Sequence, residues 1–322
     1  MIALKTVLCP IDFSPATSRQ IDLAADLCHA FGAKLVVHHN RHSLGSGANV
    51  GWMWNAGHRA DKQAALEQKV QECLACVTKG VPTESLLTEG PRSWSVLAAA
   101  ETVNADLVVL TAHGRRAEDH ASITELLLED GRRAVLVLHE PDVEPRTPRF
   151  TAGTVERQVV IAPTDLTAGS HAALAVAFDL ARTLPVDLHL LHLLPKKRLQ
   201  RRQASDEETV THLRALVPKD LDGRVAVHVE HDDPTHGIVR YAQQIAAACI
   251  VMGEHTRPPS RRWFSHGISR AVLHDAHCPV WYVPGPRSDS ERAVKFPNVT
   301  DWAVRSPSAE GQRRTGGDTG VR

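Results

Sequence analysis

Thr6-Val7-Leu8-Cys9-Pro10-Ile11-Asp12-Phe13-Ser14 stands near the start of the chain, and Val159-Val160-Ile161-Ala162-Pro163-Thr164-Asp165-Leu166-Thr167 repeats it. The offset is 153 residues and holds without a gap for more than thirty, carrying Asp26-Leu27 onto Asp179-Leu180 and His39 onto His192. Leu110-Thr111-Ala112-His113 matches Met252-Gly253-Glu254-His255 at an offset of 142. Ala121-Ser122-Ile123-Thr124 matches His266-Gly267-Ile268-Ser269 at 145, running on to Val135-Leu136-Val137 over Val280-Trp281-Tyr282. Three matches in one order indicate duplication. The period is that of an ordinary domain and too long for a solenoid.

Working outward from the repeat, short β-branched runs alternate with helical patterns in each half. Thr6–Pro10, Leu35–His39, Ser85–Leu87, Leu107–Thr111 and Val135–Leu138 read as strands of the first half. Val159–Pro163, Asp187–His192, Arg224–Val229, Cys249–Met252 and Val280–Val283 read as those of the second. Ser14-Pro15 is expected to open the first helix, Ser as N-cap and Pro at the first helical position. Gly32 ends that helix, and further helices are expected over Asp61–Thr78, Ser93–Val103 and Ile123–Leu128. The alternation predicts two doubly wound α/β domains with five-stranded parallel sheets and right-handed crossovers. The domains are expected at 1–139 and 157–286, with a linker rich in Pro, Arg and Thr at 140–156. Residues 287–322, rich in Gly, Arg, Ser and Asp, are expected to be a disordered tail.

Composition narrows the function. Lys plus Arg and Asp plus Glu are 37 each, so no net charge favours nucleic acid or an anionic membrane. No apolar run reaches the length of a bilayer span, and the N-terminus lacks a signal-peptide pattern. The six cysteines are scattered, so reduced thiols and a cytoplasmic location are expected. Cys73-x2-Cys76 lies in a helical pattern without a second pair, which predicts neither zinc nor a redox site.

Ligands of open α/β sheets bind beyond the carboxyl ends of the strands, at the topological switch point. Two loops per half qualify. One carries Asp12 or Asp165. The other carries Thr111-Ala112-His113-Gly114-Arg115 or Gly253-Glu254-His255-Thr256-Arg257, leading to a helix near Ser122 or Gly267. Small-residue loops that end at a helix N-terminus can present amides to phosphate.

The Pro-x-Asp after the first strand, the His-Gly-Arg loop, the Ser-Ile-Thr helix start and the Cys278-Pro279-Val280 entry to the last strand resemble the universal stress protein (UspA) family over both halves. The resemblance implies an adenine-nucleotide alpha-hydrolase-like sheet of order 3-2-1-4-5. It also implies an intrachain pseudo-dimer in which Val135–Leu138 pairs with Val280–Val283, so the chain can work as a monomer. Nucleotide-binding relatives carry a Gly-x2-Gly-x9-Gly-Ser/Thr loop that wraps phosphates, and their first-strand Asp contacts adenine. Here each half keeps different parts. The first has Thr111, Gly114 and Ala121-Ser122 on a spacer three residues shorter. The second has Gly253, Thr256 and His266-Gly267, with Pro258-Pro259 stiffening the loop and removing two donors. Where the family sets a Val against adenine, the halves have Asn40 and Leu193.

The candidate cofactor-binding residues are therefore Asp12, His113, Gly114, Arg115 and Ser122 in the first half. In the second they are Asp165, Leu193, Gly253, His255, Arg257, Gly267 and Ser269. The candidate cofactor is ATP or AMP, with at most one working pocket and no metal. Asp12 and Asp165 serve equally well as acceptors for their own loop backbone. His113 and His255 either order their loops or hold an anion.

His228-Val229-Glu230-His231-Asp232-Asp233 is the densest of the histidine-rich runs. On a strand Val225, Val227 and Val229 face the core and His228 and Glu230 point to solvent, so a zinc site is not expected. Lys196-Lys197-Arg198 with Arg201-Arg202 precedes Asp206-Glu207-Glu208 and reads as a charge-balanced loop rather than a nucleic-acid patch. Trp52, Met53 and Trp54, set between glycines, suggest a lid or a contact for an unknown protein partner.

No nucleophile with a base partner and no Gly-Lys-Ser/Thr phosphate loop is found. A non-catalytic binding or regulatory role is expected. A slow ATPase or a related nucleotidyl transferase is the competing enzyme class, although the His-x-Gly-His and Ser-Gly-Gly motifs of such transferases are missing after both first strands. A scaffold with closed pockets is the third possibility.

Overall fold

The computed structural model describes residues 4–41, 56–75, 77, 80–112, 118–139, 157–194, 196, 202–253, 267–285 and 303–305. The linker and the Trp52–Trp54 segment lie outside the described residues.

Five parallel strands build the first half: β1 (Thr6–Ile11), β2 (Lys34–Asn40), β3 (Thr83–Thr88), β4 (Leu107–Ala112) and β5 (Ala134–His139). Between them run α1 (Thr17–Phe31), α2 (Ala56–Ala75), α3 (Arg92–Thr102) and α4 (Glu118–Asp130). The second half repeats the order with β6 (Gln158–Pro163), β7 (Val186–Leu194), β8 (Val225–His231), β9 (Cys249–Gly253) and β10 (Val280–Val283). Its helices are α5 (Ala168–Thr183), α6 (Arg202–Ala215), α7 (Pro234–Gln244) and α8 (Gly267–Asp275). The strands are nearly continuous apolar runs because helices cover both faces of the sheet.

The strand order is β3-β2-β1-β4-β5 followed by β10-β9-β6-β7-β8, so each half has the expected 3-2-1-4-5 order. The halves join where β5 and β10 pair antiparallel, with Val137 opposite Val280, Leu136 opposite Trp281 and Val135 opposite Tyr282. This is the intrachain pseudo-dimer. One apolar core layer lies under α1, α2 and α5 and another under α3, α4, α7 and α8, and each layer takes residues from both halves. Trp281 is 1% exposed at the seam. Duplication extends to backbone strain. Phe13 and Leu166 have φ of 60° and 62° at matching positions, as do Asn104 and Ala246 at 49° and 48°.

Three sequence expectations change. Ser14 does not cap α1: its carbonyl accepts the Thr17 N–H at 3.0 Å, closing a turn, and the helix begins at Thr17. His228 does not stand free in solvent: it is half-buried, with Tyr241 of α7 beside it. Its ring lies 4.6 Å from that of His189 and 5.3 Å from that of Tyr241. The segment after residue 287 is not wholly without structure, since β11 (Ala303–Arg305) adds antiparallel to β3, Val304 opposite Leu87. An edge strand offers unpaired backbone groups to any extended segment nearby.

Candidate functional site

The second half places Asp165 at the carboxyl end of β6, at the switch point between β6 and β9. Its Oδ1 accepts the Thr167 N–H at 3.0 Å and the Thr167 hydroxyl at 2.7 Å. Asp12 accepts the Ser14 N–H at 2.9 Å in the same way. Both carboxylates thus shape their own turns. They differ in setting: Asp12 is exposed, whereas Asp165 is half-buried and lines a cavity of about 200 Å³.

Six elements wall that cavity. Pro163, Thr164 and Asp165 end β6; Ser170 stands in the first turn of α5; Leu191 and Leu193 come from β7. Pro234 and Ile238 come from α7, Met252 and Gly253 from β9, and Ile268 and Ser269 from the first turn of α8. The result is a largely apolar slot with a few polar groups in its walls, the general character of a small-molecule site. Thr164 and Ser170 bond through their hydroxyls at 2.9 Å, Thr164 Oγ1 accepts the Leu166 N–H at 3.0 Å, and Ser170 donates to the Thr167 carbonyl at 2.9 Å. This network fixes the loop that carries Asp165. His192 Nδ1 lies 2.7 Å from the Thr164 carbonyl, tying β7 to the same loop, as His39 does to the Ile11 carbonyl at 2.8 Å in the first half.

Of the residues singled out from sequence, Asp165, Leu193, Gly253 and Ser269 meet in this cavity. Gly267 starts α8 but has open space where a side chain would sit. His113, Gly114, Arg115, His255 and Arg257 lie outside the described residues, and Ser122 is in α4 with its side chain outside them. The sequence reading missed the contribution of α7. Its signal was Asp233-Pro234, an N-cap followed by Pro at N1. Asp233 Oδ1 indeed accepts the Thr235 and His236 N–H groups at 3.0 and 3.3 Å. Asp232 beside it pairs with Lys196 at 2.7 Å and Arg240 at 3.1 Å, and the Lys196 bond holds its pKa below the ordinary carboxylate value.

Gly253, besides lining the cavity, stands where α5 comes close. A Cβ there would sit 2.5 Å from the Gly169 carbonyl oxygen and 3.3 Å from Ala173 Cβ. The glycine lets α5 approach β9. In the first half Thr111 takes this place, and its hydroxyl donates to Gln20 Oε1 at 2.9 Å. Gln20 in turn donates to the Pro10 and Val109 carbonyls at 2.7 and 2.8 Å. Asn40, the counterpart of Leu193, donates to the Gly90 carbonyl at 3.0 Å and to Ser95 Oγ. Hydrogen-bonded side chains therefore fill positions that stay apolar in the second half.

Beneath the cavity, on the same face of the sheet, His189 Nδ1 lies 2.9 Å from the Tyr241 hydroxyl. Burial pulls the His189 and His228 pKa values down and pushes the Tyr241 phenol up to about 12, so all three groups are held neutral. Among the described residues no cluster of three His, Cys, Asp or Glu side chains could hold a metal ion, and no helix is long and apolar enough to cross a membrane.

Two doubly wound halves joined through their last strands, with a cavity at a switch point, define a tandem α/β protein of two like domains. The universal stress protein family model matches residues 3–139 and 156–284, and the chain belongs to that family. It is 32% identical over 139 residues to universal stress protein A homolog 1 of Coxiella burnetii, covering 42% of this chain and 89% of that one. A universal stress protein from Archaeoglobus fulgidus shares the fold of the whole tandem, with a TM-score of 0.63 at 18% identity over 88% of this chain and 97% of that chain. A functionally unknown protein from Pseudomonas aeruginosa PAO1 does so at a TM-score of 0.58 and 14% identity, over 90% of this chain and 95% of that chain.

Proposed function

We propose that this chain is a non-catalytic, cytoplasmic stress-response regulator whose second half takes up an adenine nucleotide, ATP or AMP, while the first half is degenerate. The observation that carries this reading is the cavity joining Asp165 to the first turn of α8. Leu191, Leu193, Ile238 and Met252 supply flat apolar walls suited to a purine ring. Thr167 engages one oxygen of Asp165, and a carboxylate has acceptor capacity for a further donor such as a base amine. The first turn of α8 has backbone N–H groups with no partner inside the helix, which suits a phosphate. In the first half the counterpart of Leu193 is Asn40, bonded to the Gly90 carbonyl and Ser95 Oγ in place of an apolar wall. The antiparallel β5–β10 seam supplies within one chain what a dimer would supply, so a monomer can present both halves to a protein partner.

Calorimetric titration of ATP, AMP and adenosine into the full chain tests this. Binding is expected at one site per chain, weakened at least tenfold by Asp165→Ala and by Leu193→Asn, the latter importing the first-half residue. Absence of heat at millimolar ATP in the parent protein overturns the reading and favours a scaffold. Phosphate release above a buffer control, lost in Asp165→Ala, overturns the non-catalytic part and favours a slow ATPase.

A further inference from the structure

The helix whose first turn faces the cavity is held at its other end by the opposite half of the chain. His139 ends β5, in the first half. Its Nδ1 lies 3.1 Å from the Cys278 carbonyl oxygen, and its Nε2 is within hydrogen-bond distance of the Leu273 carbonyl. Leu273 belongs to the last turn of α8, where carbonyls have no acceptor role inside the helix and need an outside donor. Cys278 lies in the connection from α8 to β10. A neutral imidazole donates to one of these carbonyls at a time and an imidazolium to both. His274 and His277 are the neighbouring titratable groups, and His274 pairs with Asp275 at 2.7 Å. A second tie links α4 to α8 through Glu125 and Arg270, but both side chains are well exposed, at 36% and 55%, and such pairs contribute little.

The tie runs one way. At the offset of 145 that relates β5 to β10, the counterpart of His139 is Pro284, which has no side-chain donor. Pro284 therefore gives the second half no equivalent side-chain hold on α4, and the half gripped through His139 is the one whose cavity is described above.

We infer that His139 is a positioning residue: through it the first half holds the carboxyl end of α8, and so sets where the amino end of α8 stands in the cavity of the second half. The first half is then a built-in positioning subunit for the site next to it. The link from α8 to phosphate rests on the nucleotide reading above, whereas the hold on α8 itself does not.

Two measurements on the full chain separate these. The first is hydrogen exchange of the α8 amides in the parent, His139→Leu and His139→Gln proteins, with α5 amides as reference. His139→Leu is expected to speed α8 exchange about fivefold or more, the effect of one lost hydrogen bond, with α5 unchanged. His139→Gln, which keeps a side-chain donor, is expected to restore most of the protection. The second is the affinity for ATP relative to adenosine. His139→Leu is expected to weaken ATP about fivefold and leave adenosine unchanged. A merely structural loss would weaken both alike, and that outcome overturns the proposal, as does unchanged α8 exchange in His139→Leu. Should the parent protein bind neither ligand, the nucleotide reading fails and α8 exchange alone decides the hold.

Discussion

Gly253→Ala tests whether this glycine serves packing or ligand approach. The added Cβ would stand 2.5 Å from the Gly169 carbonyl oxygen and 3.3 Å from Ala173 Cβ. Carbon-to-carbonyl-oxygen contacts settle at about 3.3 Å or more, so α5 and β9 must separate by roughly 0.8 Å. The obstacle is backbone in a helix packed on β6, β7 and β9, and cannot swing aside as a side-chain tip would. Forced overpacking of this kind costs about 1–3 kcal/mol. At about 2–4 °C per kcal/mol for a domain of this size, a midpoint loss of about 2–12 °C is expected. Gly267→Ala is the control, because nothing lies within 4 Å of a Cβ there. Its stability is expected to stay within about 0.5 kcal/mol of the parent. Differential scanning calorimetry of both variants without ligand reads the difference. A Gly253→Ala protein as stable as the parent, or a Gly267→Ala protein equally damaged, refutes the packing account and returns Gly253 to the ligand.

Two further tests address the first half. Asp130, 1% exposed, pairs with Arg133 at 3.0 Å and Arg132 at 3.3 Å. Asp130→Ala leaves the Arg133 guanidinium buried without that carboxylate and is expected to cost about 3–5 kcal/mol in urea unfolding, with a loss under 1 kcal/mol speaking against a buried pair. His38 is buried with Nε2 2.8 Å from Thr88 Oγ1, and burial, helped by His39, pulls its pKa down to about 3. A folded value below the unfolded one means that this stability is fully present above pH about 6.5. It is lost between about 6.5 and 3, at up to about 1.4 kcal/mol per unit. His38→Leu should flatten the stability profile over that window by one proton, and an unchanged slope would assign the acid sensitivity to other groups.

Much of the fold could be read from sequence because a parallel sheet covered on both faces writes its strands as apolar runs. The duplicated Pro-x-Asp segment reveals the tandem, and the family resemblance, not the repeat itself, implies that β5 stands beside β10. What escaped was information that does not repeat at a fixed spacing. The alternation Val225, Val227, Val229 marks one face of β8 as the inner one, but it is silent on what meets the other, where His228 lies against His189 and Tyr241. The sequence also presents Gly253 as part of a phosphate loop, since its neighbour in space, Gly169, is 84 residues away in the chain. For His139 no local pattern exists at all: its partners, Leu273 and Cys278, are 134 and 139 residues distant.

The asymmetry between the halves consists of matched sets rather than isolated losses. Gly253 goes with Gly169 and Ala173, whereas Thr111 goes with Ala16 and Gln20. A hydroxyl at the strand end requires a helix that stands back and a polar partner to meet it. Likewise Leu193 goes with Gly237, where a Cβ would lie 2.8 Å from Leu193 Cδ2, whereas Asn40 goes with Ser95 and the Gly90 carbonyl. Leucine in place of Asn40 alone would strip a donor from the Gly90 carbonyl and crowd Ser95, and asparagine in place of Leu193 alone would bring an amide to a glycine that offers it no side-chain partner. Unmade bonds of this kind cost more than made ones contribute. At these positions each half is thus held in its state, hydrogen-bonded in the first and apolar in the second, by several residues at once. On the proposed reading the duplication has settled into one site and one support rather than two equal sites, and the His139 tie runs from the support to the site.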